Sequence, residues 1–177
     1  MMLNIYNYNI SSPHIGGWIF FKEENMKKKE ILITKVKEPS GWLSCMSAHP
    51  IVHKNQNYKT AEALFQVLRF KGHPEIQKEI QDCKSPMGAK MIARRERAKL
   101  NREGVWDYAE RDQELMIQCL RLKLEQYPDL KQKLIEIGDA IIIEDCTTHD
   151  REAARIWGQV KVYCKWVGQN VLGQIWM

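Results

Sequence analysis

Several things that the 177-residue chain lacks narrow its class before any motif is considered. No run of apolar residues approaches the roughly 18 that a membrane-crossing helix needs. Met1 to Gly17 carry Asn, Ser and Pro where a secretory leader would have a basic segment and then an apolar core. The expectation is a soluble, cytoplasmic protein without a membrane partner. The five cysteines, Cys45, Cys83, Cys119, Cys146 and Cys164, are odd in number, scattered and without a C-x-x-C pair, so neither a disulfide framework nor a zinc ribbon is indicated. The histidines show no H-E-x-x-H spacing, and His49 and His53 have no third ligand near them in sequence, so no metal site and no cofactor is expected. Helix-turn-helix, zinc-finger and RNP-type motifs are missing, which argues against a protein that only binds nucleic acid. There is no internal repeat or low-complexity segment.

What is present reads as one globular core, since 44% hydrophobic and 28% charged residues over this length suit a single domain better than two. The 27 basic against 22 acidic residues leave a net charge of +5, which favours an anionic partner, phosphorylated ligand or nucleic acid alike. Lys27, Lys28 and Lys29 read as a solvated turn.

Residues 1–17 are expected to form a loosely ordered leader, and 18–177 the domain. Ile19-Phe20-Phe21 and Glu30 to Val36 suit two strands of a hairpin. The stretch around which the chain is organised is Tyr58 to Phe70. Ala61, Leu64, Phe65 and Leu68 recur at i, i+3, i+4 and i+7, one apolar helix stripe, with Thr60 as N-cap. Glu62, Gln66 and Arg69 form a second stripe, readable either as a site or as a solvated face with a carboxylate favoured by the macrodipole. Further helices are expected from Pro74 to about Cys83, from Pro86 behind the N-cap Ser85, from Trp106 to Gln126, and from Pro128 to Ile137 before Gly138. Ala140 to Glu144 reads as a buried strand. The sum is a single, mainly helical α+β domain with a small β component.

Certain motifs add a second line of inference. Thr60-Ala61-Glu62-Ala63-Leu64-Phe65-Gln66 and Ser85-Pro86-Met87-Gly88-Ala89-Lys90 resemble the T-x-E-x-x-F-Q and S-P-x-x-A-K signatures of the YbiA-like, or NADAR, superfamily of N-glycosidases. Gly41-Trp42-Leu43-Ser44 is similar to that family's G-x-[FL]-S-N-F loop, with Cys45 where Asn is usual. Ile142-Ile143-Glu144 resembles its L-x-E strand, Asp145-Cys146-Thr147 up to Trp157-Gly158 the branch with an E-D-C-T loop before W-G, and Gly168 to Met177 its G-x-N-x-L-G-x-x-[LW]-M ending. Ala154 stands three positions before Trp157, where an acidic residue is common, leaving Asp150 or Glu152 as substitutes.

The resemblance implies hydrolysis of an N-glycosidic bond through an oxocarbenium-like transition state, with Glu62 as the stabilising or water-activating carboxylate and Asp150 as a second one. It implies substrate contacts from Trp42, Ser44, Thr60, Gln66, Lys90, Arg94, Arg95, Trp157 and Gly158, the tryptophans stacking on a base and the cations holding phosphate. Each tryptophan also fits plain core packing, and Arg94 and Arg95 a solvated helix end. The implied substrate is a phosphorylated ribosyl or ADP-ribosyl base, with ADP-ribose on a base such as guanine, attached to DNA, favoured over ribosyl-aminopyrimidine intermediates of riboflavin synthesis. A silent module for ADP-ribose or NAD-like nucleotides is the alternative that the Cys45 and Ala154 departures leave open.

Overall fold

The computed structural model describes residues 28–100 and 110–177. Its centre is α1 (Ala61–Arg69), formed as its spacing predicts: Thr60 is extended and its Oγ1 accepts the Ala63 N–H at 3.1 Å. Ala61, Leu64 and Phe65 are buried, and Leu68 partly so. The solvated-face alternative for the second stripe fails, because Glu62, Gln66 and Arg69 are only 3%, 1% and 6% exposed. α1 is wrapped by α2 (Pro74–Asp82), α3 (Pro86–Arg95) and α4 (Glu110–Gln126), so its polar side chains must be satisfied inside the protein. Proline opens α2 and α3, the latter with Ser85 Oγ accepting the Gly88 N–H at 3.0 Å. α5 (Pro128–Ile137) ends at Gly138, whose φ of +64° suits glycine.

β1 (Glu30–Ile33) pairs in parallel with β4 (Ile141–Glu144), Glu30 opposite Ile141 and Ile33 opposite Glu144. Ile19 to Phe21 and the start of the helix expected from Trp106 lie outside the described residues. β1 also ends three residues early, at a turn closed by the Glu38 N–H on the Lys35 carbonyl. Parallel pairing needs a long crossover, and here it includes all five helices α1–α5. That crossover brings the end of β4 back beside the start of α1. Two hairpins complete the sheets: β2 (Ile51–His53) with β3 (Gln56–Tyr58), turning on Lys54 and Asn55 at positive φ, and β5 (Val160–Val162) with β6 (Lys165–Val167). The segment after β4 is a short α6 (Glu152–Trp157), and the chain closes in α7 (Val171–Trp176). Among the described residues no helix is long and apolar enough to cross a membrane.

Candidate active site

Glu62 sits in the first turn of α1 with its carboxylate turned inward. Cys45 Sγ donates to Oε2 at 3.0 Å and Gln66 Nε2 to Oε1 at 2.8 Å. The Glu62 N–H donates to the Cys45 carbonyl at 2.9 Å, so the loop and the helix start are joined twice. The donor expected to be lost with the family's asparagine is thus replaced by a thiol, a weaker donor. Burial, and then the Glu62 charge, push the Cys45 thiol well above its ordinary range, which keeps it protonated and donating. Behind Glu62 the chain of bonds continues. Gln66 Oε1 accepts from Arg69 at 2.9 Å, and Arg69 lies 3.3 Å from Asp112 of α4, both side chains fully enclosed. Arg69 also lies over the Phe65 ring, 5.3 Å from its centroid. Truncating one member of such a buried ion pair costs about 3–5 kcal/mol.

A second carboxylate faces this group. Glu144 ends β4, its Oε2 is buried, and it has no hydrogen-bond partner among the described residues. Burial pushes its pKa from 4.5 up to about 8, the Lys90 charge working against that rise and the Glu62 and Asp145 charges with it. Glu144 is therefore a neutral acid at pH 7. Lys90 of α3, partly buried, acts electrostatically on Cys45, Glu144 and Cys146 alike. Gly158 forms the wall on the far side: a Cβ there would lie 2.3 Å from the Glu144 carbonyl oxygen and 2.8 Å from Cys146 Sγ, so only glycine permits the approach. The Gln159 N–H closes that wall on the Glu144 carbonyl at 2.8 Å. Trp157 packs edge-on to Phe65, ring centroids 5.6 Å apart.

The loop carrying Cys45 is held from beneath by a residue that no motif singles out. Lys123 is fully buried on α4, and its ammonium donates to the carbonyls of Trp42 and Ser44 and to Ser47 Oγ at 2.7 Å. The carbonyl between those two, on Leu43, accepts from Trp176 Nε1 at 3.0 Å. Burial lowers the Lys123 pKa to about 8.

The sequence-predicted residues therefore separate. Glu62 is bonded to Cys45, Lys90 acts electrostatically on both Cys45 and Glu144, Gly158 packs on Glu144, and Trp157 packs on Phe65 of α1. Gln66 is enclosed, with its amide bonded to Glu62 and Arg69. Thr60 is spent on its capping bond; Ser44 Oγ accepts the Met46 N–H at 3.2 Å. Trp42 stands edge-on to Trp176 at 6.1 Å. Arg95 is clamped by Glu79 and Glu96 on the outer side of α2 and α3, contacts that hold its guanidinium firmly protonated, and Arg94 is exposed. Asp150 is exposed and bonded through both oxygens to Arg155, at 2.7 and 2.6 Å, a pairing that lowers its pKa. The carboxylate beside Glu62 is Glu144, not Asp150. The missed signal was an acid closing an otherwise apolar strand. Surface grooves along α4, lined by Glu114, Ile117 and Arg121 among others, lie elsewhere.

Comparison with known proteins relates the chain to a domain family, a named relative and a solved structure. The sequence profile of the NADAR domain matches residues 20–177. A protein of Acanthamoeba polyphaga mimivirus named as an N-glycosidase is 32% identical over 108 residues, which are 56% of this chain and 58% of that protein. The chain thus matches less than two thirds of that relative's length. Among solved structures, the NMR structure of the E. coli protein YbiA resembles this one with a TM-score of 0.66 and 26% identity, covering 86% of this chain and 83% of that one.

Proposed function

Because the chain belongs to the NADAR domain family, we propose that it hydrolyses the N-glycosidic bond of a base carrying a phosphorylated ribosyl or ADP-ribosyl group, and that its substrate is ADP-ribose on a base such as guanine in nucleic acid. The observation that carries this reading is the pair of carboxylates in different states. Glu62 accepts one hydrogen bond at each oxygen, while Glu144 is buried with an unpartnered oxygen and its pKa is raised to about 8. Two carboxyl groups whose surroundings push them apart in proton affinity are what acid-assisted glycoside cleavage needs.

In the proposed step the bond from the ribose anomeric carbon to the base nitrogen breaks, its electron pair goes to that nitrogen, and Glu144 supplies the proton. Glu62 stabilises the oxocarbenium ion from the other side. Water then adds to the anomeric carbon, and its proton returns to Glu144. Lys90 is the cation placed for a phosphate oxygen, and Trp157 offers a ring to the leaving base. The mimivirus relative's name supports the bond type; the net charge of +5 agrees with a polyanionic substrate.

The test is a product assay. ADP-ribosylated guanine in a DNA oligonucleotide should release ADP-ribose and leave the unmodified base, and phosphorylated ribosyl-aminopyrimidines should react slowly by comparison. Preference for the aminopyrimidines would move the substrate to the riboflavin class, and tight binding of ADP-ribose without any product would make the protein a binding module.

A further inference from the structure

The β5–β6 hairpin springs from the wall of the site. Gly158, two residues before β5, packs on Glu144, and the Lys161 N–H donates to Thr147 Oγ1 at 2.9 Å. Its tip is Tyr163-Cys164. Tyr163 is 96% exposed and has a φ of +53°, a left-handed backbone that glycine or asparagine adopts easily and an aromatic residue rarely does. A bulky ring in a strained tip, packed against nothing, has no account in the stability of the fold.

The rest of the hairpin has one sign of charge. Residues 160–167 contain Lys161 and Lys165 and no acid. Lys161 pairs across the strands with Trp166, its ammonium 5.3 Å from the ring centroid, and Val162 pairs with the exposed Lys165. Trp166 Nε1 is held by Glu30 at 3.2 Å, which fixes the ribbon to β1. The hairpin is therefore anchored at its base and free at its tip. An exposed ring beyond two lysines matches a strand of unpaired nucleotides, in which bases offer faces for stacking and phosphates offer charge.

Resting on the reading that the carboxylate centre acts on a base in nucleic acid, we infer that the β5–β6 hairpin is a polynucleotide contact arm: Tyr163 stacks on a base near the modified one, and Lys161 and Lys165 meet the adjacent phosphates. Each strand residue advances about 3.3 Å, so the tip stands about 10 Å beyond Val160. That reach suits a neighbouring nucleotide better than the one being cleaved.

The experiment compares wild type, Tyr163→Asn and the double variant Lys161→Gln/Lys165→Gln. Asparagine removes the ring and relaxes the tip, so its variant keeps its melting temperature and any loss belongs to contact. The affinity for an unmodified, fluorescein-labelled single-stranded DNA is read by anisotropy across a salt series. Tyr163→Asn should weaken it by about 5- to 100-fold, the range for one base–aromatic stack. The lysine variant should lower the slope of log affinity against log salt by about 1.4, two single-strand phosphates. ADP-ribose release from the modified oligonucleotide should fall in both variants, and release from the free ADP-ribosyl nucleoside should stay as in wild type. Wild-type affinity and wild-type salt slope in both folded variants would overturn the arm. If wild-type protein releases ADP-ribose from neither substrate, the hydrolase reading fails, and the unmodified-DNA comparison still decides the arm.

Discussion

Replacing Glu144 by glutamine should make the protein more stable and less active, by amounts that depend on pH in a stated direction. Burial raises the Glu144 pKa from 4.5 to about 8, so at pH 7 the folded protein holds a proton that the unfolded chain releases. The folded value is the higher one, so the stability linked to this group is fully present below about pH 4.5 and is lost as pH rises through about 8. At pH 7 the loss spans the interval from 4.5 to 7 at 1.36 kcal/mol per unit, about 3 kcal/mol. At pH 5 it is about 1 kcal/mol on the same reasoning. Glutamine has the same shape and nothing to ionise, so the variant should gain about 2 kcal/mol more at pH 7 than at pH 5. For a chain of this length that difference is roughly 4–8 °C in melting temperature, read by circular dichroism at the two pH values. Turnover should move the other way, falling about 10²–10⁴-fold because the leaving base loses its proton donor. The wild-type rate should decline as pH passes through about 8, and the variant's residual rate should lack that decline. Equal stabilisation at both pH values would mean that Glu144 titrates as an ordinary carboxylate, and the acid role would go with it.

Three other substitutions separate the roles assigned above. Glu62→Gln should reduce ADP-ribose release by about 10²–10⁴-fold, about 3–5 kcal/mol of barrier, and leave ADP-ribose affinity by calorimetry nearly unchanged; near-wild-type turnover would return Glu62 to structure. Lys90→Ala should raise the dissociation constant for ADP-ribose about tenfold, whereas Arg95→Ala should not, since that guanidinium is taken up by Glu79 and Glu96; equal effects would put Arg95 in the site. Lys123→Met leaves three acceptors of the Cys45 loop without their shared donor and should lower stability by about 2–4 kcal/mol in urea unfolding, with Lys123→Arg recovering part of it.

The fold was legible where period and punctuation agreed. α1, α2, α3 and α5 begin where Thr60, Pro74, Ser85-Pro86 and Pro128 place them, and α5 ends at Gly138, because capping and proline act locally. The parallel direction and register of β1 against β4 were not legible, since a partner more than a hundred residues away leaves no local trace. For the site, Glu62 stood out through its motif, whereas Glu144, though it also fell within one, was read only as the end of a buried strand. Only the tertiary fold brings it near Glu62, and burial is the main cause of its high proton affinity. Lys123 was hidden for a related reason: a lysine on an amphipathic helix reads as solvated until the tertiary fold encloses it among carbonyls. Asp150 was the converse, an acid in a suggestive sequence position that local geometry hands to Arg155.

Glu62 and Glu144 come from distant parts of the chain, and α7 ties β4, which ends in Glu144, to the loop whose Cys45 is bonded to Glu62. At its start Asn170, with φ of +56°, accepts the Glu144 N–H through Oδ1 at 3.0 Å and donates through Nδ2 to the Ile142 carbonyl at 2.7 Å. One turn on, Gly173 lets the helix lie on β4, since a Cβ there would sit 2.1 Å from the Ile142 oxygen. At its end Trp176 holds the Leu43 carbonyl of the loop that bears Cys45. Asn170→Ala removes both β4 bonds and leaves a buried N–H and a buried carbonyl unpaired, a loss of about 2–4 kcal/mol. Asn170→Gly removes the same bonds yet accepts the left-handed backbone, so a defect shared by the two variants comes from the bonds and not from strain. Both should show faster hydrogen exchange at the Glu144 amide, and both should lose turnover with the pH dependence of the remaining rate shifted, because the carboxylate no longer stands in its buried place. The Ala63 amide, bonded to Thr60 away from α7, serves as the internal reference. Unchanged protection at Glu144 in the folded glycine variant would mean that β4 holds its end without Asn170, and that the C-terminal helix supports the fold without setting the distance between the two carboxylates.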